Sequence, residues 1–395
     1  MIVSEKFNDI HISNKRQNVV LQILPTLTTG GVERGTVDVA NALMEAKWTS
    51  IVASNGGHMV SELNNFGVNH IKLPLHSKNP LVMKTNISRL EAIIRDYGID
   101  IVHVRSRAPA WSAYLATKRT KVHFVTTFHG TYNAGMFGLK NVYNSIMTKG
   151  ELVIATSQFI ADHLQKVFRI NPSLIRIIQR GIDLSRFDPE RVNKERIIKL
   201  ARRWCLSDNH SVIMLPGRLT RWKGQLVLIE AIAIMKHIMK YQNIRCLLVG
   251  SDQGRESYTN EINSLIKKHD LSDIVYLVNE CNDMPAAYML ADVVVSASTD
   301  PEAFGRVIVE SQAMGRQVVA TNNGAACENM LDGLTGILIP PNNPIALSSA
   351  LNYILDLDSI EKKVRATKAI EFVRNNFTRE LMCKRTLDVY VEILS

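Results

Sequence analysis

Short runs rich in Val, Ile, Leu and Thr alternate along this chain with longer stretches of helical period. The alternation occurs twice. In the first half the strand-like runs fall at 19–24 (VVLQIL), 50–54, 70–75, 101–104, 123–128 (HFVTTF) and 152–156. Helical patterns lie between most of them, for instance at 86–98 (NISRLEAIIRDYG). A polar, highly charged stretch then runs through Asp208. The alternation restarts at 211–217, 244–250, 274–278, 292–298 (DVVVSAS), 317–321 and 335–340. Helices are predicted at 224–239, 256–269 and 305–314, and helical patterns fill 343–395. Strands that alternate with helices build parallel sheets covered on both faces. The pattern therefore predicts an α/β protein of two Rossmann-like, doubly wound domains. Residues 1–190 form the first, with 1–18 as a flexible tail, and 191–375 form the second. A helix at 376–395 returns toward the first domain.

Composition narrows the class. A chain of 395 residues with 46% apolar content supports two ordinary cores and argues against disorder. The apolar helical run 226–235 (LVLIEAIAIM) is broken by Glu230 and is too short to span a bilayer. The start, MIVSEKFNDIHISNKRQN, has no long apolar run, so no secretory leader is expected and the protein reads as cytoplasmic. Cys205, Cys246, Cys281, Cys327 and Cys383 are scattered without a CxxC pair, which gives no support to disulfides or a metal site. The charge is uneven. Residues 1–190 hold 22 Lys/Arg against 14 Asp/Glu, whereas the remainder holds 25 against 23. A basic first half suits an acidic substrate or an anionic membrane surface.

Ligands of doubly wound sheets bind at the carboxyl ends of strands, and two such domains create a cleft. The chemically interesting residues follow strands here. PTLTTGGVERG (25–35) sets Gly30 and Gly31 just before a helical run, a loop able to accept a phosphate. His129 and Gly130 follow the strand at 123–128. PGRLTRWKGQ (216–225) places the cations Arg218 and Lys223 among glycines, which suits compensation of a diphosphate. PEAFGRVIVE (301–310) carries Glu302 and Glu310. Pro301 predicts helix entry nearby, and the amides of Phe304, Gly305 and Arg306 are candidates for binding oxygens. Glu310 is able to accept two hydrogen bonds from a diol such as ribose.

Taken together, GGVER (30–34), TFHG (127–130), QRGIDLSRF (179–187), GRLTRWKG (217–224), EAFGRVIVE (302–310) and DGLTGILIPP (332–341) resemble the retaining glycosyltransferases of family 4, which have the GT-B fold. The resemblance covers residues 19–375. It implies two domains facing a central cleft and transfer of a hexosyl group from a nucleotide diphosphate sugar with retention. A UDP-sugar is the favoured donor and GDP-mannose the second choice. No metal and no cofactor are implied. Gly30 and Gly31 would lie against the donor diphosphate, and His129 would face the donor sugar or the reacting face. Arg218 and Lys223 would hold the diphosphate. Glu302, with the backbone at Phe304 and Gly305, would position sugar hydroxyls, and Glu310 would grip the ribose. Similar enzymes often build bacterial envelope polysaccharide or lipopolysaccharide, which implies a glycan or glycolipid acceptor. The segment 131–150, mixing Tyr, Phe and Met with Lys140 and Lys149, suits peripheral contact with an anionic membrane.

Other readings remain open at this point. A glycoside hydrolase also uses two carboxylates but leaves Arg218 and Lys223 unemployed. A nucleotide-sugar epimerase, or a non-catalytic nucleotide-sugar-binding protein, would keep much of the same architecture. Nucleic-acid binding rests only on the basic first half, without a recognisable motif, and is not expected.

Overall fold

The computed structural model describes residues 16–28, 30–132, 139–239 and 243–395. Most of the expected tail, Thr29 of the glycine loop and part of the amphipathic segment 131–150 lie outside them. The chain divides into two compact units, Met1–Gly181 with Glu380–Ser395, and Ile182–Arg379. The divide falls ahead of the expected join. The charged stretch after it contains a helix, Lys194–Arg203, with Asn193 accepting from the Glu195 amide as its N-cap. Ile197 and Leu200 of this helix pack into the second unit's core, together with Trp204.

The first unit holds a seven-stranded sheet of β1 (Val19–Ile23), β2 (Thr49–Ser54), β3 (Asn69–Lys72), β4 (Ile101–Val104), β5 (His123–Phe128), β6 (Leu152–Ala155) and β7 (Ile175–Ile177). Its order is β3-β2-β1-β4-β5-β6-β7, with parallel pairing throughout. Six strands match predicted runs. The three-residue β7 was not predicted. All five residues of β1 are buried, as expected for a strand covered on both faces. Val20, Ile101 and Val125 pack under Val39 and Leu43 of the helix Gly31–Glu45, and also against Met382, Val389 and Tyr390. The last three come from the helix Arg379–Leu394, so the end of the chain completes the first unit's core.

The second unit holds β8 (Ser211–Pro216), β9 (Ile244–Val249), β10 (Val275–Val278), β11 (Val293–Ser296), β12 (Gln317–Thr321) and β13 (Ile337–Ile339) in the order β10-β9-β8-β11-β12-β13. Every pairing is parallel. One sheet face packs Ile213, Leu215 and Val295 against Leu228 and Ile232 of the helix Gln225–His237. The other packs Met214, Leu247 and Val294 against Tyr288, Phe304 and Val309. Each such fully buried aliphatic side chain contributes about 1.5–3 kcal/mol relative to exposure.

Each sheet reverses direction in the middle, at β1/β4 and at β8/β11. Neighbouring strands there send their helices to opposite faces, and a crevice opens beyond their carboxyl ends. The loops after β1, β4 and β5, and those after β8 and β11, carry the polar residues described next.

Candidate functional site

In the second unit, two backbone contacts bring the loop after β8 against the loop after β11. Gly224 has φ 73°, and a Cβ on it would lie 1.9 Å from the Ala297 carbonyl oxygen, so only glycine permits this approach. The Thr299 amide then donates to the Trp222 carbonyl at 2.8 Å. Lys223, between them, is held with its Nζ 2.6 Å from a Glu302 carboxylate oxygen. Ser298 Oγ donates to that same oxygen. Both side chains are only 14% exposed, so this pair is screened little by solvent. Lys223 also lies over the Trp222 ring at 4.4 Å. An ammonium has three N–H donors, and the bond to Glu302 uses one of them.

Glu302 is fixed from the opposite side by a residue outside the predicted site. Its backbone bridges to Gly324, and its carbonyl accepts from the Ala325 amide at 2.8 Å. A Cβ on Gly324, where φ is 66°, would fall 2.4 Å from the Glu302 carbonyl oxygen. Pro301 does not begin a helix. The helix runs Arg306–Ala313 with Gly305 as N-cap, so Glu302 lies in the loop before it. The amides of Phe304 and Gly305 have no hydrogen-bond partner among the described residues, whereas the Phe304 carbonyl accepts from Asn329 Nδ2. The helix N-terminus therefore presents free donors beside Glu302.

Glu310 lies inside that helix and is 7% exposed. Its carboxylate accepts from Tyr288 Oη at 2.9 Å and from Arg306 Nη2 at 2.7 Å. Burial first, then the Glu310 charge, pushes the Tyr288 phenol well above its ordinary value, so it remains a donor. Two of about four acceptor positions on Glu310 are thus occupied. Arg306 contributes its guanidinium to Glu310, a role not foreseen for it. Arg218 is exposed, and its carbonyl accepts from Gln225 Nε2 at 2.9 Å, which anchors the loop after β8.

In the first unit, His129 follows β5 and receives a hydrogen bond on Nδ1 from Arg180 Nη2 at 3.0 Å. A guanidinium only donates, so Nδ1 holds the lone pair and Nε2 carries the proton. Burial, and then the charges of Arg180 and Arg105, drive the His129 pKa well below its ordinary value. The ring is a neutral Nε2–H donor, and that buried nitrogen has no partner among the described residues. Beneath it runs a polar chain. The Arg105 guanidinium interacts electrostatically with the Tyr390 hydroxyl. Tyr390 Oη lies 2.6 Å from His103 Nδ1, and His103 Nε2 lies 2.6 Å from Thr127 Oγ1. Burial pushes His103 well below its ordinary value and Tyr390 upward, so both stay neutral. Gly31 opens the helix Gly31–Glu45, with Gly30 as its N-cap. Arg105, Arg180, Tyr288 and Ser298 escape sequence reading, because nothing in composition distinguishes a buried arginine or hydroxyl from an exposed one.

No group of three or more potential metal ligands occurs among the described residues. Asp356-Leu357-Asp358 has a spacing able to hold a cation, but Asp358 caps the helix Ser359–Asn376 through the Glu361 amide and Asp356 accepts from Asn352. All five cysteines are free thiols.

Residues 29–186 match the Glycosyltransferase Family 4 domain, and residues 199–371 match the Glycosyl transferases group 1 domain. A crystal structure of a glycosyltransferase from Rickettsia africae ESF-5 is 40% identical with a TM-score of 0.88, over 96% of this chain and 100% of that one. Anabaena Alr3699/HepE, in complex with UDP and glucose, shares the fold at 22% identity and a TM-score of 0.80, over 94% and 99%. The D-inositol 3-phosphate glycosyltransferase of Xylanimonas cellulosilytica is 25% identical over 78% of this chain and 75% of its own length. With both domain types in sequence and two parallel-sheet units that match GT-B structures, this chain belongs to the glycosyltransferases.

Proposed function

We propose that the protein moves a hexosyl group from a nucleotide diphosphate sugar, with a UDP-sugar favoured over GDP-mannose, to a glycan or lipid-linked acceptor, with retention and without a metal or cofactor. The observation that carries this reading is the second unit's cluster of Lys223, Ser298, Glu302 and the free amides at Phe304 and Gly305, set at the sheet's reversal point. Cleavage of a sugar–diphosphate bond leaves negative charge on the phosphate and an oxocarbenium-like sugar. A half-used ammonium with helix N–H groups suits the first, and a fixed carboxylate suits the second. The Anabaena neighbour, crystallised with UDP and glucose, supports the choice of donor.

Within this reading Arg218 and Lys223 hold the diphosphate, and Glu302 orients sugar hydroxyls. Glu310, braced by Tyr288 and Arg306, grips the ribose. In the first unit Gly30 and Gly31 meet the diphosphate, and His129 donates from Nε2 to the sugar. The neutral tautomer makes His129 a hydrogen-bond donor rather than a proton acceptor at that nitrogen. Synthesis of bacterial envelope polysaccharide or lipopolysaccharide is the proposed setting. Contact with an anionic membrane would be peripheral, since no helix among the described residues is long and apolar enough to cross a bilayer.

The test is a thermal-shift panel of UDP, GDP, ADP and their sugar conjugates. A ligand of the folded protein raises the melting temperature by mass action. UDP and a UDP-sugar are expected to stabilise most. Indifference to every nucleotide would remove the reading. Flotation with anionic liposomes at low salt tests the membrane contact, and absence of binding would remove that part.

A further inference from the structure

The first unit holds a cavity of about 520 Å³ between the helices Pro80–Asp96 and Arg107–Thr120, whose wall includes neither the glycine loop nor His129. The lining comes from the opening turns of these helices, which follow β3 and β4, so the cavity lies toward the carboxyl-end side of the first sheet. Pro80, Met83, Ile87, Trp111, Leu115 and Tyr143 form most of the wall. Its polar groups are turned onto backbone carbonyls. Ser112 Oγ donates to the Met83 carbonyl at 2.8 Å, Trp111 Nε1 to that of Tyr143 at 3.3 Å, and Tyr143 Oη to that of Arg107 at 3.4 Å. With these donors used, the wall offers a ligand almost nothing but apolar surface. Lys78 and Lys84 complete it. Both are exposed, and among the described residues neither has a carboxylate partner. No lining residue is acidic. The apolar character continues outside, where Leu81 is 75% and Val142 65% exposed.

These features select among occupants. A glycan brings hydroxyls that each need a partner when buried, and this wall supplies none. An extended peptide brings N–H and C=O groups with the same need. An amphipathic helix, about 10–12 Å across, is larger than a cavity of small-molecule size. A hydrocarbon chain needs no partner, and each methylene it buries tightens binding about fourfold. Two unpaired ammonium groups beside an apolar wall then suit an anionic head on that chain. Trp111 and Tyr143 are residues that favour such a boundary between apolar and wet surroundings.

We propose that this cavity binds the hydrocarbon chain of a single anionic lipid, with Lys78 and Lys84 meeting its phosphate-bearing head. The inference rests on the transferase reading only in taking that lipid as the acceptor, and the binding itself requires no nucleotide.

Isothermal titration calorimetry of the full chain with octyl and decyl phosphate, each below its micelle concentration, tests the proposal. Decyl phosphate is expected to bind about tenfold more tightly, because it adds two methylenes. Leu115→Asp places a carboxylate on the exposed part of the wall. It is expected to weaken decyl phosphate about tenfold or more while the shift in melting temperature with UDP stays unchanged. Lys78→Ala combined with Lys84→Ala is expected to weaken decyl phosphate about fivefold and to leave decanol binding as it was. A folded Leu115→Asp protein that keeps full affinity for decyl phosphate overturns the proposal, as does affinity independent of chain length. Binding to phosphatidylglycerol vesicles without binding of decyl phosphate monomers would mean a surface contact only, and overturns it too. So does binding of an acidic amphipathic peptide in place of decyl phosphate, which would mean a protein partner. If UDP fails to stabilise a chain that binds decyl phosphate, the nucleotide-sugar reading falls and the lipid site stands. The converse result removes the lipid site alone.

Discussion

Lys223 Nζ lies 2.6 Å from a Glu302 carboxylate oxygen, although 79 residues separate the two in sequence. Glu302 is the hydrogen-bond partner of the Lys223 ammonium among the described residues, and under the proposed function the remaining two donors meet a phosphate oxygen. The arrangement predicts different failures for the two partners. Lys223→Ala removes charge stabilisation of the leaving group and is expected to lower turnover about 10²-fold or more. Arg218→Ala, lacking such an anchor, is expected to lower turnover comparably but with less effect on stability. Glu302→Gln keeps the shape and is expected to lower kcat more than it raises KM. Steady-state kinetics on purified variants distinguish these outcomes, and near-wild-type turnover in both cation variants would remove the diphosphate role.

Gly224 is the hinge on which that pairing depends. Gly224→Ala would force a methyl group into the Ala297 carbonyl at a positive φ. The expected loss is about 2 kcal/mol or more, because both strain and overlap oppose the residue. Urea denaturation checks the size of the effect. A loss of less than about 0.5 kcal/mol, the range of an ordinary surface substitution, would show that the loop finds another path.

The architecture was legible because strands buried on both faces leave continuous apolar runs, as VVVS of β11 does. The helix Lys194–Arg203 was hidden because Ile197 and Leu200 are its core contacts among many Lys and Arg residues. In the site, glycine loops, cations and acids marked candidate positions by coinciding at the carboxyl ends of strands in both halves, although each residue type alone is ordinary in a strand-to-helix turn. Long-range partnerships were not legible. Arg306 and Glu310 stand one helical turn apart, a spacing that allows their pairing to be read, whereas nothing local in the sequence turns Arg180 toward His129 across 51 residues. The motifs name the side chains, while burial and tautomer decide what each can do.

Tyr288 and Glu310 offer a test of the proposed ribose contact. Tyr288→Phe deletes a buried hydrogen bond to a charged group and is expected to cost about 1.5–3 kcal/mol of stability. If Glu310 serves the nucleotide, the loosened carboxylate raises KM for the donor with little change in kcat. If Glu310 is purely structural, KM stays at its wild-type value in the folded variant. Donor titrations at saturating acceptor separate the two results.

The buried histidines set the acid limit of the first unit. His103 and His129 both have pKa values well below the ordinary 6.5, each chiefly through burial. In the unfolded chain both regain ordinary values and bind protons as the pH falls through about 6.5, while the folded protein still binds none. The unfolded state then holds more protons, so stability must decline with acidity. The slope approaches about 1.4 kcal/mol per pH unit for each histidine. Full stability is therefore expected above pH 7, with a falling melting temperature between pH 6.5 and 5. His129→Asn should flatten the decline by one proton's worth, and His103→Asn should do the same if it folds. A melting temperature independent of pH across that window would mean that one or both rings are already charged in the native protein.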